Sequence, residues 1–247
     1  MIDPIAISLG PIDIYWYGLV YALGFLFTYW FVRANAKQIG ATKEVLEDLL
    51  FYGMLFGVLG GRLGHILFYN LDFYLMFPAE ILRVDRGGMS IHGGIIGGAL
   101  AIYYIAKKHK VHVLKFLDIL VIPLSLVLAF GRIANFINQE LVGRITSSQF
   151  GINFSLVDDE TRYPSQIFES IKNIIVFQIV LYLNYAKKLT PGIISAWFLI
   201  LYNGLRFFVD FTREPEVYLF MSIGMGQLLS LIFTIAGIYT VSYTHLR

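Results

Sequence analysis

The chain has no cysteine among its 247 residues. That excludes disulfides, a thiolate nucleophile and thiolate metal ligands of its own. Charge is also scarce: 15% of residues are Asp, Glu, Lys or Arg, against 57% hydrophobic, with a mean hydropathy of +0.68. A soluble domain of this length does not carry so much apolar surface. No linker, low-complexity tract or solenoid repeat breaks the sequence. The formal net charge of +2 says little, because the sidedness of the charges matters more.

The apolar residues come in long runs rather than alternating, which favours spanning helices over a barrel. Seven runs stand out: Ile12–Val32, Leu46–Tyr69, Ile91–Ala106, Phe116–Ala134, Ile167–Tyr185, Gly192–Val209 and Gly224–Val241. The first lacks a basic leader and a small-residue cleavage site, so it reads as a retained helix. The expectation is an all-α, seven-helix transmembrane bundle with a short external segment, one integral membrane domain over residues 1–247. The tail from Ser242 to Arg247 looks unrelated to the run before it and carries no inference.

Lysine marks one side. Arg33, Lys37 and Lys43, then Lys107, Lys108, Lys110 and Lys115, then Lys187 and Lys188 fall in alternate loops, on the side of the C-terminus. The positive-inside rule makes that side cytoplasmic and puts the N-terminus outside. The other half holds Arg62, Arg83, Arg86, Arg132, Arg144, Arg162, Arg206 and Arg213, with Lys172 its only lysine. Arginine there points to bidentate recognition of phosphate or carboxylate. Local acids such as Asp72, Glu80, Asp85 and Glu140 offer the alternative of plain ion pairing, which suits Arg83 and Arg86.

The densest polar stretch runs from Gly131 to Arg144, directly after the apolar Phe116–Phe130. Arginine, asparagine and a carboxylate are costly at membrane depth unless they face an interior or a cavity. Arg132 and Asn135 share a helix face, while Asn138 and Glu140 depend on how the helix ends. Arg206, Asp210 and Arg213 stand at i, i+4 and i+7, so a continuous helix would hold two cations around one carboxylate. The alternatives are an interhelical hydrogen-bond knot and a self-satisfied ion ladder. His92 opens the third run. It is a plausible base near neutral pH, or simply a packing residue. Gly93/Gly97, Gly94/Gly98 and Gly53/Gly57/Gly61 read as helix-packing devices. Arg62 either joins the anion site or snorkels to the outer interface. Tyr15, Trp16 and Tyr17 read as an aromatic belt. His109 and His112 lack the matched ligands of a metal site.

Together these residues resemble a known family. The Gly131–Arg144 stretch is similar to the signature of the bacterial prolipoprotein diacylglyceryl transferases. Trp16-Tyr17-Gly18, Gly60-Gly61-Arg62, Ser90-Ile91-His92-Gly93-Gly94, Pro164-Ser165-Gln166-Ile167-Phe168-Glu169, Arg206 to Pro215 and Met225-Gly226-Gln227 look like that family's blocks, in order. The resemblance implies a seven-helix inner-membrane enzyme with an external N-terminus. It implies transfer of the diacylglyceryl group of phosphatidylglycerol to the lipobox cysteine thiol of a prolipoprotein. The products are a thioether and glycerol phosphate. No metal, nucleotide cofactor or nucleic acid takes part. The family's important positions fall on Tyr17, His92, Arg132, Asn135, Glu140, Gly143 and Arg206. Asp210 stands where the family usually has glutamate, Tyr163 where histidine is common, Gly224 where serine is usual and His65 where tyrosine is common. The external segment after Gly143 is short.

The resemblance assigns Arg132 and Arg206 as phosphate clamps and His92 as base or thiol orienter. Tyr17, Asn135 and Glu140 orient lipid or arginine. Tyrosine or the phosphate itself remains open as the proton acceptor. Two other classes fit buried arginines: a transporter for an anionic substrate, and a membrane assembly protein. The transporter predicts access from both faces and is compatible with inverted repeats, which the sequence does not display.

Overall fold

The structure is a computed structural model that describes residues 3–10, 12–83, 88–186, 189–214, 218–220 and 223–245. Asp85, Arg86, Lys187, Lys188 and the last two residues of the tail lie outside the described residues. The elements in order are β1 (Ile5–Leu9), β2 (Ile12–Tyr15), α1 (Trp16–Ala34), α2 (Ala36–Ile39), α3 (Lys43–Tyr69), α4 (Leu71–Met76), α5 (Ile91–Lys108), α6 (Val113–Ile137), β3 (Ile152–Asn153), β4 (Thr161–Arg162), α7 (Ser165–Ala186), α8 (Ile193–Val209), β5 (Tyr218–Phe220), β6 (Ile223–Gly224) and α9 (Met225–His245).

Each of the seven apolar runs coincides with a helix. Among the described residues, four helices are long and apolar enough to cross a membrane: α3, α6, α7 and α8 with the turn after it. At 1.5 Å per residue, the 27 residues of α3 span about 40 Å, more than the hydrocarbon core needs. This is a membrane protein. The three antiparallel hairpins, β1–β2, β3–β4 and β5–β6, did not stand out as runs. The first consumes the start of the expected first run: Ser8 pairs Asp13 and Leu9 pairs Ile12 around Gly10, whose φ is +63°. α9 continues to His245, through most of the segment that looked unrelated.

The chain divides into two compact units, Met1–Phe31 with Leu117–Arg247, and Val32–Phe116. In the second unit, α3 and α5 meet along a glycine seam. A Cβ on Gly93 would run into the Gly60 carbonyl, and one on Gly97 into the Phe56 carbonyl. Such contact lets backbones approach closely. Gly60 and Gly64 form the α3 side, rather than Gly53 and Gly57, which face open space. One residue's offset turns the stripe about 100° round the helix. At the lysine-rich end, Asp48 of α3 accepts from His109 Nε2 at 2.6 Å and Lys108 Nζ at 2.7 Å.

In the first unit, a carboxylate of one helix caps another. α8 begins after Gly192, at φ 95°, which supplies no side-chain cap. Asp118 of α6 takes that role: Oδ2 accepts from Gly192 N at 2.6 Å, and Oδ1 from Ser195 N and Oγ, each at 2.7 Å. This satisfies orphan donors at the α8 start and places a negative charge at its positive end. α6 and α8 are thereby pinned at corresponding ends. Arg132 lies as far beyond Asp118 as Arg206 lies beyond Gly192, about 21 Å along each helix.

Candidate active site

α6 ends because Gln139 takes a left-handed φ of 56°. An uncommon φ for a non-glycine residue needs support, and Gln139 Oε1 accepts from Leu156 N at 2.9 Å. The turn brings Glu140 back onto the helix. Glu140 N bonds the Asn135 carbonyl at 2.9 Å. Asn135 Nδ2 donates to Glu140 Oε2 at 3.1 Å, and Asn138 Nδ2 to Oε1 at 3.3 Å. The buried Gln166 of α7 fixes the turn by donating to the Glu140 carbonyl at 2.7 Å. Glu140 and Asn138 line a cleft of about 540 Å³ with Asp13 and Tyr17. The Tyr17 hydroxyl is 3.2 Å from that of Tyr21, and Tyr21 lies in the fields of Arg132 and Glu140.

Deeper in the unit, three helices contribute to an ionic cluster. Arg132 Nε on α6 is 3.7 Å from Glu169 Oε2 on α7, and Lys172 Nζ, one turn along α7, is 3.1 Å from the same oxygen. Lys172 also sits 3.7 Å from the centroid of the Tyr202 ring on α8. Arg206 Nη1 donates to the Tyr202 hydroxyl at 3.4 Å, and its Nε is 3.5 Å from Asp210 Oδ2. Glu169 thus meets Arg132 and Lys172 directly, and Tyr202 links Lys172 to Arg206. Three cations and two carboxylates leave one positive charge in excess. The side chains of Arg132 and Arg206 are 17% and 23% exposed, whereas those of Glu169 and Lys172 are 3% exposed. The arginines are therefore the most exposed members of the cluster.

The expected run of Arg206, Asp210 and Arg213 on one helix face is corrected. α8 stops at Val209, a 3-10 turn covers Asp210–Thr212, and Arg213 is extended at φ −94°, ψ 147°. Its backbone instead bridges Gly143. That bridge explains the glycine: Gly143 N donates to the Tyr163 carbonyl at 3.0 Å, and Arg144 N to the Thr212 carbonyl at 2.9 Å. A Cβ at Gly143 would strike the Tyr163 carbonyl and come within 2.6 Å of the Thr212 carbonyl. Three stretches of backbone thus converge on residue 143. Asp210 is covered by the first turn of α9, where a Cβ on Gly226 would come within 2.9 Å of Oδ2. A carboxylate beside a helix N-terminus is electrostatically favoured. Further out, Arg162 grips Asp158 through Nε at 3.1 and 3.0 Å and Nη2 at 2.7 Å, and donates to the Gly143 carbonyl at 3.1 Å. The guanidinium holds the Asp158 carboxyl below its ordinary range.

The model of the prolipoprotein diacylglyceryl transferase family matches residues 4–243. The chain belongs to this family. It is 42% identical over 241 residues to the phosphatidylglycerol–prolipoprotein diacylglyceryl transferase of Aeromonas salmonicida, covering 96% of this chain and 88% of that one. It is 39% identical over 249 residues to the protein of the same name from Ehrlichia canis, covering 98% and 95%. With that of Methylobacillus flagellatus it shares 42% over 246 residues, covering 96% and 94%.

In this family member, Tyr17, Arg132, Asn135, Glu140, Gly143, Arg206 and Asp210 all lie in the first unit, and His92 and Arg62 in the second. His92 is exposed in the first turn of α5, after the N-cap Ser90. Arg62 is buried and donates to the carbonyls of Glu80 (2.6 Å), Ile81 (2.9 Å), Gly88 (3.1 Å) and Arg83 (3.1 Å). Its guanidinium neither snorkels nor faces outward; it holds a loop. Glu169 and Tyr202 are not singled out by the sequence, and Lys172 stands out there only as the lone lysine of the arginine-bearing half. A signal was present: Gln166, Glu169, Ser170 and Asn173 recur at helical spacing in an apolar run, and all are buried. A polar stripe on a membrane helix faces the interior.

Proposed function

We propose that this protein transfers the diacylglyceryl group of phosphatidylglycerol to the lipobox cysteine thiol of a bacterial prolipoprotein, the first step of lipoprotein maturation. The observation that carries the reading is the pair of partly exposed arginines, Arg132 beside the buried Glu169 and Arg206 beside Asp210, in a cluster with positive charge in excess. The thiolate sulfur attacks a glycerol carbon. The carbon–oxygen bond breaks, and its electron pair leaves with glycerol phosphate. Charge grows on the phosphate oxygens, where fixed guanidiniums act most strongly.

Arg132 and Arg206 clamp the phosphate. Asp210 orients Arg206. Tyr17, Asn135 and Glu140 orient the lipid in and beside the cleft, and Gly143 closes the turn that carries Glu140. Arg62 fixes its own loop. His92 is the base or the thiol orienter. A free thiol is only slightly ionised at neutral pH, so it needs one or the other. The enzyme spans the inner membrane seven times, with its N-terminus outside and its C-terminus in the cytoplasm. The lysine asymmetry supports that orientation.

Purified protein is incubated with phosphatidylglycerol and a lipobox peptide, and the peptide mass is followed. The expected gain is one diacylglyceryl group, absent from a Cys→Ser peptide. A Cys peptide that stays unmodified would sink the reading. Single cysteines in the cysteine-free background test orientation: strong external labelling at position 108 with none at position 2 rejects it. His92→Gln is expected to lower turnover about a hundredfold with lipid binding intact, and to flatten the acid limb of the pH–rate curve. A destabilised variant with normal turnover and an unchanged pH profile makes His92 structural.

A further inference from the structure

The proposed chemistry gives Lys172 no task, yet a buried lysine is expensive unless it is held by charge and hydrogen bonds. At 3% exposure it is closed off from a lipid that Arg132 and Arg206 can reach. Its ammonium lies 3.1 Å from Glu169 Oε2, closer than the 3.7 Å of Arg132 Nε. It is seated against the Tyr202 ring, whose hydroxyl accepts from Arg206. Glu169 Oε1 makes no hydrogen bond. A carboxylate beside a guanidinium frequently forms a bidentate pair with it. Here it makes none, and the nearest cation is the lysine.

We propose that Lys172 is a positioning residue: it draws the Glu169 carboxylate away from Arg132 and Arg206, leaving both guanidiniums open for the lipid phosphate. The inference rests on the phosphate-clamp reading. Without Lys172 the cluster holds two cations and two carboxylates, and its excess positive charge vanishes. Glu169 then closes on the arginines and competes with the lipid for the same donors. Lys172 acts through Glu169, so its removal matters only while Glu169 is charged. A direct phosphate ligand would matter in either background.

The test is a double-mutant cycle of Lys172→Met, Glu169→Gln and the double variant. The readouts are KM and kcat with dioleoyl phosphatidylglycerol micelles and a lipobox peptide, and retention of that lipid in native mass spectrometry. Lys172→Met is expected to raise KM about tenfold with kcat within about twofold, the pattern of lost ground-state binding. Lys172→Arg keeps KM near that of the parent. In the double variant KM returns to near the parent value. A parent-like KM in Lys172→Met overturns the proposal, as does a double variant whose KM stays raised. Should Lys172→Met not fold, the double variant, with a neutral pair, carries the test alone: a parent-like KM supports the proposal, and a tenfold rise overturns it. Absence of product from the unmutated enzyme would defeat the transferase reading instead, and lipid retention across the same variants would still decide the role of Lys172.

Discussion

Arg62 and Arg132 are both arginines within apolar helices, and they meet opposite fates. Arg62 has four carbonyls of its own chain within 3.1 Å. Arg132 has a carboxylate at 3.7 Å and a partly exposed side chain. A guanidinium with four of its five N–H donors on main-chain oxygens is a strut, since few directional donors remain for a ligand. One held loosely by a shared carboxylate retains donors for a ligand. The glycines divide similarly. Gly93 and Gly97 admit a neighbouring helix, whereas Gly143 admits two strands of loop beside the arginine cluster.

The largest expected effect falls on the open arginines. Arg132→Lys and Arg206→Lys should each lower turnover about a hundredfold or more, because an ammonium does not reproduce the planar fork. Diacylglyceryl transfer per folded molecule is the measure. Parent-like turnover in both would erase the distinction from Arg62. Arg62→Met should do the reverse. It deprives four carbonyls of partly exposed loop residues of their donor and is expected to cost about 1–3 kcal/mol, while turnover per folded molecule holds. Thermal melting and turnover measured together decide this; a stable but inactive Arg62→Met would move Arg62 back among the anion ligands.

Gly143→Ala is expected to destabilise by about 1–3 kcal/mol through overpacking. Its neighbours are carbonyls rather than flexible side-chain ends, so they give way only by breaking the bonds of Tyr163 and Thr212. A melt equal to that of the parent would show that the loop relaxes freely.

What the sequence makes legible follows from range. The apolar runs reveal helices because their signal is local and long. The first hairpin is missed because Ile12-Asp13-Ile14-Tyr15 adjoins a run and was absorbed into it. Arg132, Asn135 and Glu140 are legible as costly polar groups. Their arrangement is not, because it depends on the left-handed Gln139 that ends α6. Arg213 is misjudged by the same rule in reverse: spacing predicts a helix face, but the helix ends first. Arg62 and Glu169 acquire their meaning from partners far along the chain, namely the carbonyls of Glu80, Ile81, Arg83 and Gly88 and the side chain of Arg132. Single-residue spacing carries no such information.

The smallest expected effect concerns an ion pair outside the spans. Arg162 holds the Asp158 carboxyl below its usual range through direct hydrogen bonds. The sign follows from linkage. A depressed carboxyl contributes stability that is fully present above its unfolded pKa of about 3.9 and is lost as pH falls through the lower folded value. Arg162 stays charged throughout, so it adds no slope of its own. The pair is also partly exposed, so salt screens it. Asp158→Asn should therefore reduce the acid-side slope of melting temperature below about pH 4, leave melting near neutral pH only slightly lower, and leave lipid transfer unchanged. Melts of parent and variant between neutral pH and pH 3 measure it. An identical acid slope in both would mean the grip of Arg162 on Asp158 does not persist in solution, and that the loop beside Gly143 is held by its backbone bonds alone.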